Sequence, residues 1–203
     1  TKVVENTDGS SKTTITNKNG SSSTTTVSKD GTVESQVELS TSVVNNAATS
    51  GETITLPIPQ VPATSDKEAA PTVTVDLPAD TDVVVEIPVE NVTAGTVAVR
   101  MLPDGSQEVI MDSVTTENGV IVTLHDGDTV KVLDNSVDFV DVPDSHWASD
   151  AVDFATSREL FNGTSATTFS PAGDMTRAMV LTVLARYEGV DTTTGDTWYE
   201  VGM

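Results

Sequence analysis

The aromatic residues of this chain are confined to its last third, and this restricts how the rest can build a core. The chain has 203 residues and eight aromatic side chains, of which Phe139 is the first. Aromatic rings supply the largest apolar contact areas in a protein core. Residues 1–138 must therefore bury aliphatic side chains instead, and we expect the two regions to fold in different ways.

Residues 1–39 contain a repeat of turn signals. The dipeptides Asp-Gly, Asn-Gly and Asp-Gly begin at positions 8, 19 and 30, a spacing of 11 residues. Both dipeptides favour two-residue hairpin turns, and the Ser-, Thr- and Val-rich runs between them suit strands. The pattern predicts a β-meander with strands of about seven to nine residues that serves as a spacer. The alternative is a disordered Ser/Thr-rich stalk.

Residues 40–70 are predicted to form a short helix and a proline-containing linker. Ser40 is placed to cap a helix that ends at Gly51. The stretch TITLPIPQV follows, and its prolines indicate an edge strand or an extended linker.

Residues 71–137 show the clearest strand signals. Short apolar or alternating runs such as TVTVDL, DVVVEIPV and GVIVTL are separated by turn residues. Five or six strands within this length predict a small all-β sandwich or barrel.

Residues 138–203 change to a helical period. The first predicted helix takes Ser145 or Asp144 as its cap, and its apolar stripe consists of Trp147, Ala151, Phe154, Ala155 and Arg158. A loop then leads to a second helix with apolar residues at 179, 180, 183, 184 and 187. The predicted fold is thus mainly β with a C-terminal helix–loop–helix, divided into segments 1–39, 40–70, 71–137 and 138–203.

The charge of the chain restricts its partners. It carries 31 acidic and 10 basic side chains, a formal net charge of −21. Nucleic-acid binding requires a basic face, so we expect no nucleic-acid partner. No apolar run approaches the length of a membrane span, so we expect no membrane insertion. The chain has no cysteine, which removes disulfides and thiolate metal sites.

The sequence is poor in groups for catalysis. Its two histidines, His125 and His146, are far apart, and there is no nucleophile elbow, glycine-rich phosphate loop or His/Glu metal spacing. Asp104, Asp126 and Asp128 could bind Ca²⁺, but they lack the ligand spacing of a calcium loop and are typical of turns. We therefore predict no catalytic residue, no metal site and no cofactor: the chain is not expected to be an enzyme.

The second helix begins with an unusual charge. Thr176 is predicted as its N-cap, which makes Arg177 the first helical residue. A cation there is disfavoured by the helix dipole, by about 0.3–1 kcal/mol. Met179 stands where a capping box would place Glu. The alternative to a functional role is an ion pair between Arg177 and Asp174 or another nearby carboxylate.

The run FVDVPDSHWASDAVDFA, then FNG, then TTFSPAGDMTRAMVLTVLARYEG resembles an S-layer homology (SLH) domain over residues 138–190. The family pattern includes an aromatic-x-Asp-Val opening, a His-Trp-Ala stretch, Phe-x-Pro and a Thr-Arg-Ala-Glu helix start. TWYEVGM resembles the beginning of a second repeat, so we expect the sequence to be a piece of a longer surface protein.

The resemblance implies non-covalent anchoring to a secondary cell-wall polysaccharide. That polymer is anionic and often carries ketal-linked pyruvate. Arg177 occupies the place of the family's polymer-contacting arginine, capped by Thr176. Trp147 offers a sugar face or packs in the core, and Gly163 provides a turn near the groove. Met179 departs from the family's Glu, which weakens the cap and alters the charge of the groove. The resemblance implies a secreted protein at the cell wall of a Gram-positive bacterium.

Two other functions stay open at the level of sequence. The segment 71–137 could itself be a carbohydrate-binding or adhesin module. The chain could also be an accessory region of a surface hydrolase. The sequence does not fix the oligomeric state.

Overall fold

A computed structural model describes residues 1–78 and 81–190 of the chain. The described part contains three helices, α1 (Thr41–Ser50), α2 (Ser149–Ser157) and α3 (Arg177–Tyr187). Its strands are β1 (Lys2–Glu5), β2 (Ser11–Thr16), β3 (Ser22–Val27), β4 (Val33–Glu38), β5 (Ile54–Thr55), β6 (Val61–Pro62), β7 (Thr72–Asp76), β8 (Val83–Glu90), β9 (Thr96–Met101), β10 (Gln107–Val109), β11 (Val114–Thr115), β12 (Gly119–Leu124) and β13 (Thr129–Asp134). The predicted start of a second repeat, TWYEVGM, lies outside the described residues.

The strands form two sheets. The larger sheet has the order β1-β2-β3-β4-β7-β13-β9-β10, and the smaller has the order β11-β12-β8-β5. Buried side chains from β4, β7 and β13 pack in one cluster with those of β8 and β12. The two sheets therefore face each other across a shared core as an open sandwich, and no barrel closes among the described strands.

The sandwich core is aliphatic, as the absence of aromatic residues predicts. Its central residues alternate with exposed ones along each strand, for example in the burial of Val83, Val85, Ile87 and Val89 on β8. Such alternation is what a strand with one buried face requires. Valine and isoleucine fill the space that rings occupy elsewhere, because their branched side chains pack closely on a pleated surface.

The N-terminal repeat is folded as strands and belongs to the larger sheet. Strands β1–β4 have four to six residues, fewer than predicted, and the turn glycines Gly9, Gly20 and Gly31 have φ near 90°. β4 pairs in parallel with β7. Val33 and Val37 of β4 are buried in the sandwich core. The disordered alternative is thus not observed, and the sheet crosses two of the predicted domain boundaries, which themselves stay predictions.

The connection between β4 and β7 follows its sequence signals. The Ser40 side chain accepts a hydrogen bond from the Val43 amide, and α1 ends at Gly51 with φ 70°. Only Val44 of α1 is buried. β5 and β6 then pair in parallel with β8, so the proline-rich stretch forms short strands at the edge of the smaller sheet.

The predicted start of the first C-terminal helix is wrong. α2 begins at Ser149 with Ala148 as its N-cap, and neither Ser145 nor Asp144 provides a side-chain cap. The reason is a pair of tight turns, in which the His146 amide bonds to the Pro143 carbonyl and the Ser149 amide to the His146 carbonyl. The later start rotates the buried face, which holds Val152, Thr156, Ser157 and Arg158.

None of the described helices has both the length and the apolar character needed to cross a membrane.

Candidate functional site

The start of α3 has the predicted capping geometry. Thr176 has φ −81° and ψ 160°, and its Oγ1 accepts a hydrogen bond of 3.3 Å from the Met179 amide. Extended backbone at the N-cap and a hydroxyl bonded to the third helical amide are what a threonine cap requires. Arg177 is therefore the first residue of the helix, as predicted.

Arg177 is exposed and has no partner within the part of the chain that the structure describes. Its guanidinium makes no hydrogen bond or ion pair there, so the alternative pairing with Asp174 is not observed. The amides of Arg177 and Ala178 also have no acceptor in residues 1–78 and 81–190. No acidic side chain lies in the first turn of α3. Unpaired amides beside a guanidinium at the positive end of a helix suit a carboxylate or another anion.

Trp147 is on the surface, which corrects the expectation that it packs in the core. Its side chain is 90% exposed, in the turn before α2. Its ring lies 5.7 Å from that of His146, measured between centroids. The His146 Nδ1 in turn accepts a hydrogen bond from the Ala148 amide. An exposed indole offers a wide apolar face with one N–H donor, which is compatible with contact to a sugar.

Gly163 lies in the loop between α2 and α3, where the chain passes very close to a ring. A Cβ added at Gly163 would lie 2.5 Å from Phe139 Cε1 and 2.6 Å from the carbonyl oxygens of Ser165 and Thr168. The Phe139 ring packs against Phe169, with centroids 5.5 Å apart. Gly163 therefore allows the loop to close over the aromatic cluster that precedes α3.

Asp141 is a structurally important residue that the sequence analysis did not single out. Its two carboxylate oxygens accept hydrogen bonds from the Phe169 amide at 2.9 Å and the Ser170 amide at 2.7 Å. The bond from Phe169 is the main cause that lowers the pKa of Asp141, with Ser170 contributing. The signal was present in the aromatic-x-Asp-Val motif. Asp141 thus connects the beginning of the C-terminal helical region to the segment that precedes Thr176.

Arg158 is a second residue whose importance the sequence did not reveal. Its side chain is fully buried and lies over the Phe154 ring, with Cζ 3.8 Å from the centroid. It donates to the carbonyl oxygens of Ser113 at 2.6 Å, Thr96 at 3.1 Å and Ala94 at 3.2 Å. Burial lowers the pKa of Arg158 to about 10, so the guanidinium stays charged at neutral pH.

These bonds join the helical repeat to the β-sandwich. Ala94, Thr96 and Ser113 belong to the sandwich, whereas Arg158 is the C-cap of α2. A further bond of 2.7 Å runs from Asn135 Nδ2 to the Ser157 carbonyl. The repeat is therefore packed on the sandwich.

The charges near α2 and α3 differ. Burial raises the pKa of Asp153 on α2, and the negative charges of Asp150, Asp134, Asp138 and Asp144 raise it further. An anion is therefore disfavoured beside α2 and favoured at the start of α3.

Thr176 and Arg177 lie together at the start of α3, but Trp147 does not join them. No ring contact, hydrogen bond or ion pair links Trp147 to these two residues among the described residues.

The other polar candidates serve local structure. The Asp104 carboxylate accepts bonds from Ser106 in its turn. The carboxylate of Asp126 accepts a bond from the Leu77 amide, and Asp128 is paired with Arg100 at 3.2 Å. His125 Nδ1 contacts the carboxylate of Asp82.

Comparison with known proteins identifies the helical region. No curated protein and no solved structure matched the chain. The family model of the S-layer homology domain matches residues 138–178, a range that includes Trp147, Gly163, Thr176 and Arg177. This domain is non-catalytic and attaches proteins to the cell wall by binding surface polysaccharide. Residues 138–178 are therefore identified as an S-layer homology domain, and this part of the chain is packed on a β-sandwich.

Proposed function

We propose that this chain attaches to the wall of a Gram-positive cell by binding an anionic secondary cell-wall polysaccharide at the start of α3. The carboxylate of the polymer, such as that of a pyruvate ketal, accepts hydrogen bonds from the Arg177 guanidinium and from the free amides of Arg177 and Ala178. Trp147 is a candidate to cover the face of a sugar. The segment has no catalytic role in this proposal.

The observation that carries the proposal is the unpaired state of Arg177. The chain has a net charge of −21, yet this guanidinium has no carboxylate partner among the described residues. The replacement of the family's Glu by Met179 leaves the first turn of α3 without a competing acid. A bound carboxylate would supply the negative charge that the helix dipole favours at this position.

The β-rich part is proposed to act as a spacer that carries the SLH domain. Strands β1 and β2 extend the larger sheet beyond the sandwich core, and Arg158 fixes α2 to the sandwich. In this proposal the sandwich is a rigid spacer and the SLH domain supplies the wall contact.

Co-sedimentation with purified wall polysaccharide tests the proposal. The wild-type chain should pellet with the polymer, and chemical removal of pyruvate should reduce the bound fraction. Arg177→Ala should lose binding by about tenfold or more, as expected for one charge-assisted hydrogen bond. Lys12→Ala is the matched control, because Lys12 is an exposed cation on β2, away from α3, and should leave binding to this polymer unchanged.

Binding that is retained by Arg177→Ala would contradict the proposed site. Binding that is retained after removal of pyruvate would contradict the proposed ligand group. Loss of binding in Lys12→Ala but not in Arg177→Ala would move the polymer contact to the larger sheet.

A further inference from the structure

A polar cleft lies between the sandwich and the C-terminal end of α3. Its volume is about 330 Å³, within the range of about 300–1,000 Å³ for ligand pockets. Arg100 of β9 and Glu108 of β10, which are cross-strand partners, line it together with Asp112 on the sandwich side. Arg186 and Tyr187 line it from α3. We name this the hairpin–α3 cleft. It is remote from the N-terminus of α3, where Arg177 lies.

The donors on the α3 side of the cleft are largely unused. Arg186 makes one hydrogen bond, from Nη1 to the Leu160 carbonyl at 3.3 Å. It has no ion-pair partner among residues 1–78 and 81–190. The Tyr187 side chain is 52% exposed, and its hydroxyl has no hydrogen-bond partner in the same residues. The remaining guanidinium N–H groups and the phenol are thus free to meet a ligand.

The sandwich side supplies free acceptors beside a fixed cation. Arg100 is held by Asp128 at 3.2 Å and by the Thr123 carbonyl at 3.4 Å. The carboxylates of Glu108 and Asp112 make no hydrogen bond or ion pair within the described part of the chain. The cleft therefore presents open donors on one wall and open acceptors on the other.

The cleft carries charges of both signs. Arg186 lies opposite the unpaired carboxylates of Glu108 and Asp112, whereas the charge of Arg100 is already offset by Asp128. An anionic ligand would be repelled by the two carboxylates, and a cationic ligand would be repelled by Arg186. A hydroxyl group both donates and accepts, so a polyhydroxylated ligand can use both walls. The exposed Tyr187 ring adds an apolar face with a polar tip.

We propose that the hairpin–α3 cleft binds a short segment of a neutral glycan. The sugar hydroxyls accept hydrogen bonds from Arg186 and donate to Glu108 and Asp112, and a sugar ring lies on the face of Tyr187. This site is separate from the anionic polymer site at Arg177, and it does not depend on it. The chain would thus hold two glycans of different chemistry at the two ends of α3.

Titration of the isotopically labelled full chain with sugars, followed by NMR, tests this proposal. The probes are maltotetraose, cellotetraose and chitotetraose, with trigalacturonate as the acidic comparison. At least one neutral tetrasaccharide should shift the signals of Arg186, Tyr187 and β10. Tyr187→Ala, Arg186→Met and the conservative Glu108→Gln should each weaken that binding, the Arg186 change by about tenfold or more. Arg177→Ala should leave it unchanged.

Three results would overturn the proposal: no shift with any neutral tetrasaccharide, undiminished binding in the Tyr187 and Arg186 variants, or tighter binding of trigalacturonate than of every neutral sugar. Glu108 is exposed on a short edge strand, so its glutamine variant keeps the test valid if a helix variant fails to fold. Failure here with intact Arg177-dependent wall binding would refute the cleft alone. The converse result would refute the wall-anchoring site alone.

Discussion

Replacement of Arg158 tests the packing between the SLH domain and the sandwich. Methionine at this position keeps much of the aliphatic volume but removes every donor. The Ser113 and Thr96 carbonyls, on residues that are fully buried, then lose their charged partner. Each unsatisfied buried acceptor costs about 1–3 kcal/mol, which gives about 2–6 kcal/mol for the two. The substitution also removes the desolvation cost of burying the Arg158 charge, which partly offsets this destabilisation. We therefore expect the free energy of unfolding to fall by about 3 kcal/mol.

The free energy of unfolding, measured by urea denaturation followed by tryptophan fluorescence and circular dichroism, gives the magnitude. Arg177→Met is the matched control, because that guanidinium is exposed and unpaired in the described structure, and it should change stability by no more than about 0.5 kcal/mol. Arg158→Lys should be intermediate, since a lysine ammonium keeps the charge but cannot reproduce the planar arrangement of five donors. If Arg158→Met and Arg177→Met were equally stable, the hydrogen bonds of Arg158 to the sandwich would not contribute as we infer.

Three further substitutions test the local geometry of the repeat and its contact with the sandwich. Gly163→Ala should destabilise the fold by about 1–3 kcal/mol in thermal unfolding, because its Cβ would collide with the Phe139 ring; an unchanged melting temperature would refute that close approach. Asp141→Asn should be less stable than wild type at neutral pH. Because the folded pKa of Asp141 is lowered, the wild-type advantage is present above about pH 4 and is lost as the pH falls through the folded pKa; a difference in unfolding free energy that is constant with pH would argue against its bonds to the Phe169 and Ser170 amides. Ser113→Ala should leave stability unchanged or raise it by up to about 1 kcal/mol in urea unfolding, because the Ser113 hydroxyl is buried without a partner in the described structure, whereas a clear loss would reveal one.

The parts of the fold that the sequence predicted are those set by short-range chemistry. The hairpin turns follow from Asp-Gly and Asn-Gly, because these pairs tolerate positive φ whatever lies elsewhere in the chain. The caps at Ser40 and Thr176 are equally local, since the hydroxyl bonds an amide three residues away. The alternation of aliphatic residues likewise placed the main strands of the sandwich.

What the sequence did not predict depends on distant partners. The acceptors of Arg158 lie 45 residues away at Ser113 and 62 residues away at Thr96, and no local pattern marks a backbone carbonyl as a partner. The parallel pairing of β4 with β7 is similar, because it joins strands across the segment that contains α1. Turns that delayed the start of α2 changed the buried face, and so Trp147 is exposed rather than packed.

The candidate site was only partly predictable for the same reason. The positions of Thr176 and Arg177 at the start of α3 were predicted correctly, because a helix start depends on neighbouring residues, whereas their contact with a polymer stays a prediction. The hairpin–α3 cleft combines a strand pair with a helix end far along the chain, so its composition emerges only from the fold. Asp141 lies within the aromatic-x-Asp-Val motif, but its hydrogen bonds depend on where the fold places the Phe169 and Ser170 amides.

The proposed anion site at Arg177 is tested most directly by NMR, from the signal of the Arg177 side-chain Nε–H during titration with pyruvylated fragments of the wall polysaccharide. We expect this signal and the amides of Arg177 and Ala178 to shift together and to saturate. Fragments from which pyruvate has been removed should leave them in place. A polymer that binds the chain without moving the Arg177 signals would contradict the proposed anion site.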